Sequence, residues 1–154
     1  MIDVDYLSLQ IERVLKKSER FESPCGGGSL IIRRWSGPEQ ASDSIVLVHG
    51  GSGSWTHWYN NIEYLASRFH VYAIDLPGLG DSEALAPGYS AMDAVEAVSA
   101  GIQALPELGP FHLVAFSWGC AVSSQIVKLH QDQLLSLLLV GPASIGDIPR
   151  RGLM

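Results

Sequence analysis

The sequence is poor in cysteine, and this scarcity limits how the fold can be held together. Only Cys25 and Cys120 occur among 154 residues, which is too few for a disulfide framework, and their spacing fits no metal site. Two isolated thiols are typical of a reducing compartment. The sequence also has no dinucleotide-binding fingerprint. It therefore predicts a cytoplasmic protein and implies no metal and no organic cofactor.

The chain also lacks long hydrophobic runs and an excess of positive charge. No apolar stretch approaches the roughly 20 residues needed to span a bilayer. The N-terminus carries Asp3 and Asp5 instead of the apolar core of a signal peptide. Ten basic residues against sixteen acidic ones give a formal net charge of -6, which argues against a nucleic-acid partner. We expect neither a membrane nor a nucleic acid among the partners.

What is present is the composition of a soluble globular domain. Hydrophobic residues make up 47% of the chain and charged residues 17%, so a core can form and disorder is excluded. Residues 3–17 repeat their apolar positions at helical spacing. We therefore divide the chain into an N-terminal helical extension, residues 1–20, and a core domain, residues 21–154.

Within the core domain, strand-like and helix-like stretches alternate. A glycine-rich turn at residues 23–29 predicts a β-hairpin over residues 21–35. Ser90 followed by Asp93 predicts a capping box at the start of a helix. Alternation of this kind is typical of a mostly parallel α/β sheet with right-handed crossovers, flanked by helices. Buried strands are predicted at residues 45–48, 70–74, 113–116 and 134–140, and helices at residues 56–68, 91–105 and 120–130.

The stretch around Ser117 has the pattern of a strand that turns sharply into a helix. Apolar residues 113–116 stop at Ser117, and the small residues Ala115 and Gly119 leave room for two backbones to approach. This geometry lifts a serine hydroxyl to a helix N-terminus, where the N–H of Trp118 is available to an oxyanion. The pattern is A-x-S-x-G, with alanine in place of the first glycine. On these residues alone, an ordinary junction with an incidental serine remains an alternative.

Three short motifs follow three of the predicted strands, in a fixed order. They are His-Gly-Gly at residues 49–51, Asp-x-Pro-Gly-x-Gly-x-Ser at residues 75–82, and Ala-x-Ser-x-Gly at residues 115–119. Together, over about residues 21–142, they resemble the α/β-hydrolase family. The resemblance implies an α/β-hydrolase fold and a small-molecule ester or related acyl substrate, cleaved through an acyl-enzyme.

The resemblance also implies roles at the matching positions. Ser117 corresponds to the nucleophile, and the backbone N–H groups of Gly51 and Trp118 correspond to the oxyanion hole. His49 corresponds to a histidine that shapes the loop and not to the catalytic base. An ester hydrolase would thus take its nucleophile and its oxyanion donors from two neighbouring loops.

The same loops supply candidates for the substrate pocket. Ser52, Trp55 and Trp58 follow the first motif and are candidate pocket residues, although core packing is equally open for the two tryptophans. Asp75 and Asp81 lie in a turn where aspartate commonly caps backbone N–H groups. We interpret both aspartates as structural.

The residues that would activate Ser117 are missing where the family has them. The family order is serine, acid, histidine, and after Ser117 the chain offers only the acids Asp132 and Asp147 and the histidine His130. His130 falls about three helical turns away, roughly 20 Å, and is excluded as the base within one chain. Asp147 would act as the acid only with a histidine to orient. His57 is expected to be a pocket-wall or surface residue.

The sequence therefore resembles the family only through its sixth strand, without the cap and without the acid and histidine segments. The last predicted strand, residues 134–140, contains five leucines and forms an apolar sheet edge. We expect a serine hydrolase whose acid and base lie outside this sequence. The alternatives are a non-catalytic domain that binds an acyl ligand or a partner, and an inactive truncated product. A homodimer through the exposed strand is a further expectation.

Overall fold

Six strands form one sheet, and helices pack on both of its faces. The description comes from a computed structural model and covers residues 4–143. The strands are β1 (Glu19–Cys25), β2 (Gly28–Trp35), β3 (Ser44–Val48), β4 (His70–Ile74), β5 (Phe111–Phe116) and β6 (Leu134–Val140). The helices are α1 (Val4–Leu15), a 3-10 turn (Trp55–Trp58), α2 (Tyr59–Ala66), α3 (Ala91–Ala104) and α4 (Trp118–Leu129).

The strand order in the sheet is β1-β2-β4-β3-β5-β6. β1 pairs antiparallel with β2, and β2 pairs antiparallel with β4. The pairs β3–β4, β3–β5 and β5–β6 are all parallel. The predicted mostly parallel α/β sheet is therefore confirmed, and the carboxyl ends of β3, β4 and β5 meet at one edge.

The predicted hairpin is present, but its turn is tighter than expected. Residues 23–25 already pair with residues 28–30, so only Gly26 and Gly27 remain outside the ladder. Their φ angles of 57° and 100° lie in the left-handed region that glycine enters without steric cost. The prediction of a turn over residues 23–29 was wrong because Pro24 lies in β1, an edge strand, which tolerates a missing N–H donor.

Each strand contributes to two cores because successive side chains point to opposite faces. Val46 and Val48 of β3 pack on the α3/α4 side, whereas Ile45 and Leu47 pack on the side of α1 and α2. All five residues of β3 are buried. This explains the uninterrupted apolar run of that strand, since a parallel strand covered on both faces has no polar side.

The helices lie where the sequence predicts them, with shifts at their ends. The Ser90–Asp93 capping box is present: Ser90 Oγ accepts from the Asp93 N–H at 3.3 Å, and the Asp93 carboxylate accepts from the Ser90 N–H at 2.6 Å. The hydrogen bond from the Ser90 backbone lowers the pKa of Asp93. The helix predicted over residues 56–68 is a 3-10 turn followed by α2, which ends at Ala66.

Helix α1 is docked on the core and is too short to be a bilayer span. Trp35 Nε1 donates to the carbonyl oxygen of Val14 at 2.7 Å, and both side chains are buried. Arg13 and Lys17 each form a 2.6 Å ion pair with Glu63 of α2. In residues 4–143 no helix has both the length and the apolar character needed to cross a membrane. The cytoplasmic location remains a prediction.

Strand β6 is an edge of the sheet and carries exposed leucines. Leu135, Leu138 and Val140 are 49%, 57% and 41% exposed, and no residue of the strand is charged. An apolar edge without charge or proline lacks the usual protection against pairing with another chain. The homodimer expected through this strand remains a prediction.

A lysine on β6 is expected to weaken such self-association. We expect the wild-type chain to exceed its monomer mass of 16.6 kDa in light-scattering chromatography. Leu138→Lys should raise the dissociation constant at least about tenfold, because like charges then meet across the new strand pair. Leu9→Lys, at a leucine that is 63% exposed on α1, is the matched control. A wild-type chain that is monomeric at all concentrations would exclude the dimer.

Candidate active site

Ser117 connects β5 to α4 in a strained backbone conformation. Its φ of 51° and ψ of -115° lie outside the regions that a residue with a Cβ atom normally adopts. The residue is the N-cap of α4, yet its side chain makes no capping hydrogen bond. The hydroxyl is therefore held at the positive end of a helix without being used by that helix.

The strain at Ser117 persists because neighbouring backbone groups fix it. Its N–H donates to the Val140 carbonyl at 3.0 Å, and its own carbonyl accepts from the N–H groups of Cys120 at 3.1 Å and Ala143 at 3.3 Å. Strained residues of this kind typically cost about 1–3 kcal/mol and cluster at functional sites. The serine junction is thus over-determined by β6 and α4, which distinguishes it from an incidental turn.

Gly119 is the glycine that the turn requires. A Cβ atom there would lie 2.4 Å from the carbonyl oxygen of His49 and 2.6 Å from that of Val48. The start of α4 consequently packs directly on the end of β3. Ala115, by contrast, lies inside β5 and packs its methyl group in the α3/α4 core. This difference explains why alanine is accommodated at the first small position of the motif.

The glycine loop after β3 faces the start of α4. A Cβ atom built on Gly50 would lie 3.0 Å from Cβ of Ser117, and one built on Gly51 would lie 3.8 Å from Cβ of Trp118. The structure therefore brings Ser117, Gly51 and Trp118 together, as the sequence predicted. The glycine loop therefore lies beside the side chains of Ser117 and Trp118.

His49 ties this loop to the loop after β4. Its ring is fully buried, Nδ1 lies 2.6 Å from the carbonyl oxygen of Gly50, and Nε2 lies 2.9 Å from the backbone nitrogen of Leu76. Since the Leu76 N–H can only donate, Nε2 accepts and Nδ1 carries the proton. Burial lowers the pKa of His49, so the ring is held neutral. Both ring nitrogens are occupied, which leaves none free to serve Ser117.

Because His49 is buried in its neutral form, it should make stability depend on pH. A folded-state pKa below the unfolded value contributes stability above about pH 6.5, and this contribution is lost as the pH falls. Burial raises the pKa of the neighbouring Asp75, which acts in the opposite sense. We therefore expect the unfolding free energy, from urea titrations, to rise more between pH 5.5 and pH 8 for the wild type than for His49→Gln. Equal pH dependence in both proteins would contradict this.

Asp75 organises the next loop by capping backbone N–H groups. Its carboxylate is buried and accepts from the N–H of Trp55 at 2.6 Å and of Asp81 at 2.9 Å. A Cβ atom on Gly80, whose φ is 57°, would lie 2.4 Å from this carboxylate. Asp81 itself forms a 2.6 Å ion pair with Arg33. These contacts agree with the structural interpretation of both aspartates.

The candidate pocket residues do not share one environment. Trp55 is 5% exposed, and its ring centroid lies 5.4 Å from that of Trp35 in the α1/α2 core. Trp55 therefore packs in the core, which was the alternative left open by the sequence, and does not take the expected pocket role. Trp58 packs partly against the same core. Ser52 is exposed, with a φ of 56°, on the loop beside Ser117.

The histidines other than His57 have their contacts elsewhere in the fold. Besides His49, His70 Nδ1 accepts from the Gly37 N–H at 3.1 Å, and His112 Nδ1 lies 2.7 Å from Ser136 Oγ. His130 is buried at the far end of α4, with Nε2 2.8 Å from Ser99 Oγ. The exclusion of His130 as the base therefore agrees with its position. Asp147, the candidate acid, lies outside the described residues.

His57 is the histidine whose contacts the sequence did not predict. Its Nδ1 accepts from the Gly50 N–H at 3.4 Å, and its ring lies edge-on to Phe116, with centroids 5.6 Å apart. The expected pocket-wall or surface position is consistent with this placement, since the residue is exposed. The sequence feature that could have indicated this contact is Gly53, which lacks a side chain. A Cβ atom at that position would lie 2.2 Å from Cε1 of His57, so the close approach of His57 requires a glycine there.

Two other features bear on possible ligands. Among residues 4–143 no group of three histidine, cysteine, aspartate or glutamate side chains is arranged to hold a metal ion. A shallow cavity of about 260 Å³ lies beside α2, and none of its lining residues belongs to the loops around Ser117. The Ser117 region is the candidate site because the backbone there is strained and the serine side chain makes no capping hydrogen bond.

Comparison with known proteins points to one family. The family model described as alpha/beta hydrolase fold matches residues 43–153. A pimeloyl-[acyl-carrier protein] methyl ester esterase of Aeromonas hydrophila is 37% identical over 97 residues, covering 62% of this chain and 36% of that protein. Probable lysophospholipase BODYGUARD 5 of Arabidopsis thaliana is 31% identical over 112 residues, covering 68% of this chain and 25% of that protein.

A solved structure gives the same architecture. Carboxylesterase CesB of Bacillus subtilis has a TM-score of 0.72 and 26% identity, covering 94% of this chain and 52% of that one. The chain thus spans a quarter to about a third of these two curated relatives, and about half of the solved structure. The match of the family model to most of the chain, together with the six-stranded sheet, shows that this protein belongs to the alpha/beta hydrolase fold family.

Proposed function

We propose that this chain carries the nucleophile and the oxyanion site of a serine hydrolase acting on a carboxylic ester or a related acyl substrate. The observation that supports this most strongly is the backbone of Ser117, with φ at 51° and its hydroxyl unused at the N-terminus of α4. A serine on a sharp strand-to-helix turn presents its hydroxyl to a substrate carbonyl without any change of the backbone conformation. Strain of this kind has no structural benefit in an ordinary turn.

In the proposed reaction the Ser117 hydroxyl oxygen attacks the carbonyl carbon, and its proton passes to a base. The carbonyl oxygen becomes an oxyanion, which the N–H groups of Gly51 and Trp118 would hold. Collapse of this intermediate expels the alcohol, which takes up the proton, and leaves an acyl-enzyme on Ser117. Water then attacks the ester, releases the acid and restores the hydroxyl.

Among residues 4–143 the structure shows no histidine and acid arranged to activate the Ser117 hydroxyl. We propose that both lie outside residues 4–143 in the protein as it acts. Removing triad members in complete serine hydrolases lowers the rate by about 10⁴ to 10⁶. The chain of 154 residues should therefore be a slow hydrolase when it is assayed alone.

The names of the relatives support an ester as the substrate class. One is a methyl ester esterase, one a probable lysophospholipase and one a carboxylesterase, and each name describes that protein only. Ser52 and Trp58 remain candidate pocket residues here, because both follow the glycine loop that faces Ser117. A thioester or an amide is chemically compatible with the same nucleophile.

A non-catalytic domain that binds an acyl ligand is the second candidate. The observation that favours it is that His70, His112 and His130 have their contacts away from Ser117. The two histidines near the glycine loop, His49 and His57, both contact the backbone of Gly50 through Nδ1. Without a base, a serine hydroxyl stays protonated and reacts slowly. Such a domain would keep the oxyanion site for binding.

A fluorophosphonate probe separates the two candidates. We expect covalent labelling of the wild-type chain, with the modified peptide containing Ser117 in mass spectrometry. The phosphonyl oxygen that forms would occupy the same site as the oxyanion. A chain that folds, binds a fatty acid and yet remains unlabelled after prolonged incubation would favour the binding domain.

A further inference from the structure

The imidazole of His57 is packed closely against the glycine loop. A Cβ atom on Gly53 would lie 2.2, 2.5 and 2.7 Å from three atoms of the ring, so the loop backbone approaches the ring face closely. The ring also lies edge-on to Phe116, at 79°, and to His49, at 86°. The exposed side chain is therefore held in one place by the loop and by the end of β5.

The contact with Gly50 fixes the proton on the His57 ring. A backbone N–H can only donate, so Nδ1 accepts from Gly50 at 3.4 Å and the proton of the neutral ring lies on Nε2. A protonated imidazole has N–H groups at both nitrogens and no acceptor. The same ring would then direct an N–H at the Gly50 N–H, and the contact would become repulsive.

We propose that His57 is a positioning residue that holds the Gly50–Gly51 turn by accepting from the Gly50 N–H, and that protonation of the ring releases this turn. The His57 contact orients the peptide unit that carries the Gly50 N–H. The Gly51 N–H belongs to the next unit, whose Gly50 carbonyl lies 2.6 Å from Nδ1 of His49, so the hold reaches Gly51 through the backbone angles of Gly50. Its consequence for turnover depends on the proposed oxyanion role of Gly51. The hydrogen bond between the Gly50 N–H and His57 can be tested whether or not the chain is a hydrolase.

The groups around His57 indicate that a pH-dependent release of the Gly50 contact would come from protonation of the His57 ring itself and not from a neighbour. His49 lies 5.9 Å away between ring centroids, and burial keeps it neutral. Asp75, on the loop after β4, interacts with His49 and directs its carboxylate to Trp55 and Asp81. Phe116, from β5, carries no charge.

Two substitutions at His57 distinguish its role as a hydrogen-bond acceptor from the effect of protonating its ring. Oδ1 of asparagine lies near the position of Nδ1, so His57→Asn keeps an acceptor and removes the titration. His57→Leu removes both. His112→Asn is the matched control, because His112 contacts Ser136 and Phe69 on another part of the sheet. His57 is exposed, and circular dichroism will show whether each variant keeps its fold.

The test follows the Gly50 amide by ¹⁵N spectroscopy and hydrogen exchange from pH 8 to pH 5. In the wild type and His112→Asn we expect this amide to titrate, with exchange, corrected for its intrinsic pH dependence, rising about tenfold at the acid end. In His57→Asn it should stay protected throughout. In His57→Leu it should be unprotected throughout. Equal protection in His57→Leu and wild type at pH 8, or a titration that persists in His57→Asn, would overturn the proposal.

Fluorophosphonate labelling of the same proteins distinguishes failure of this inference from failure of the proposed function. We expect labelling of Ser117 to slow at acid pH in the wild type more than in His57→Asn. If no protein is labelled but the Gly50 amide behaves as described, the hold stands and the hydrolase proposal fails. If all proteins are labelled alike and the protection of the Gly50 amide does not change with substitution of His57, the inference fails and the hydrolase proposal stands.

Discussion

Replacing Ser117 by alanine is expected to remove the ester hydrolysis of this chain. The wild type should hydrolyse a short-chain p-nitrophenyl ester slowly, and Ser117→Ala should hydrolyse it only at the background rate measured without protein. Without the hydroxyl no acyl-enzyme can form, although the N–H groups of Gly51 and Trp118 remain. The loss is expected to be smaller than the roughly 10⁶-fold seen when a complete triad loses its serine.

A second serine variant controls for the loss of a hydroxyl that has no role in the site. Ser42→Ala removes a hydroxyl on an exposed loop, where the side chain donates to the neighbouring Asp43. Its rate should equal that of the wild type. If Ser117→Ala and the wild type hydrolyse the ester equally, Ser117 is not the nucleophile. If neither turns over and neither is labelled, the non-catalytic alternative is favoured.

Replacing Gly119 by alanine is expected to destabilise the fold by about 3 kcal/mol or more. The new methyl group would lie 2.4 Å from the His49 carbonyl oxygen and 2.6 Å from that of Val48. Both oxygens belong to backbone at the end of a fully buried strand, so neither can move aside as a flexible side chain would. Urea unfolding followed by circular dichroism measures the change.

The matched control adds the same methyl group to the facing loop. A Cβ atom on Gly51 meets only Cβ of Trp118, at an ordinary contact distance of 3.8 Å. Gly51→Ala should therefore change the unfolding free energy by less than about 1 kcal/mol. Equal stabilities of Gly119→Ala and Gly51→Ala would show that β3 and α4 do not approach as closely as described.

These two experiments examine one arrangement from two sides. The close approach at Gly119 brings the end of β3 against the start of α4, and the same approach places the glycine loop beside Ser117. A serine that is held in a left-handed conformation by backbone hydrogen bonds would be of little use without that loop. The chemistry we propose therefore depends on a packing contact that bears no functional group of its own.

The sequence alone determined the element order and located most elements to within about two residues at each end. Strands β4 and β6 lie where the apolar runs predicted them, and the Ser90–Asp93 capping box opens α3. It also located Ser117 at a strand-to-helix junction, and the order of three motifs identified the fold family. Such features are local: they follow from side-chain periodicity and capping within a few residues.

Only the tertiary structure decided the contacts between distant segments. It assigned Trp55 to the core against Trp35, and it placed His57 on the glycine loop. It also showed that the indispensable glycine of the serine motif is Gly119, and that Ala115 lies in a strand with room for its methyl group. Sequence spacing cannot specify these contacts, because each depends on how the sheet brings together residues that lie far apart along the chain or face each other across a turn.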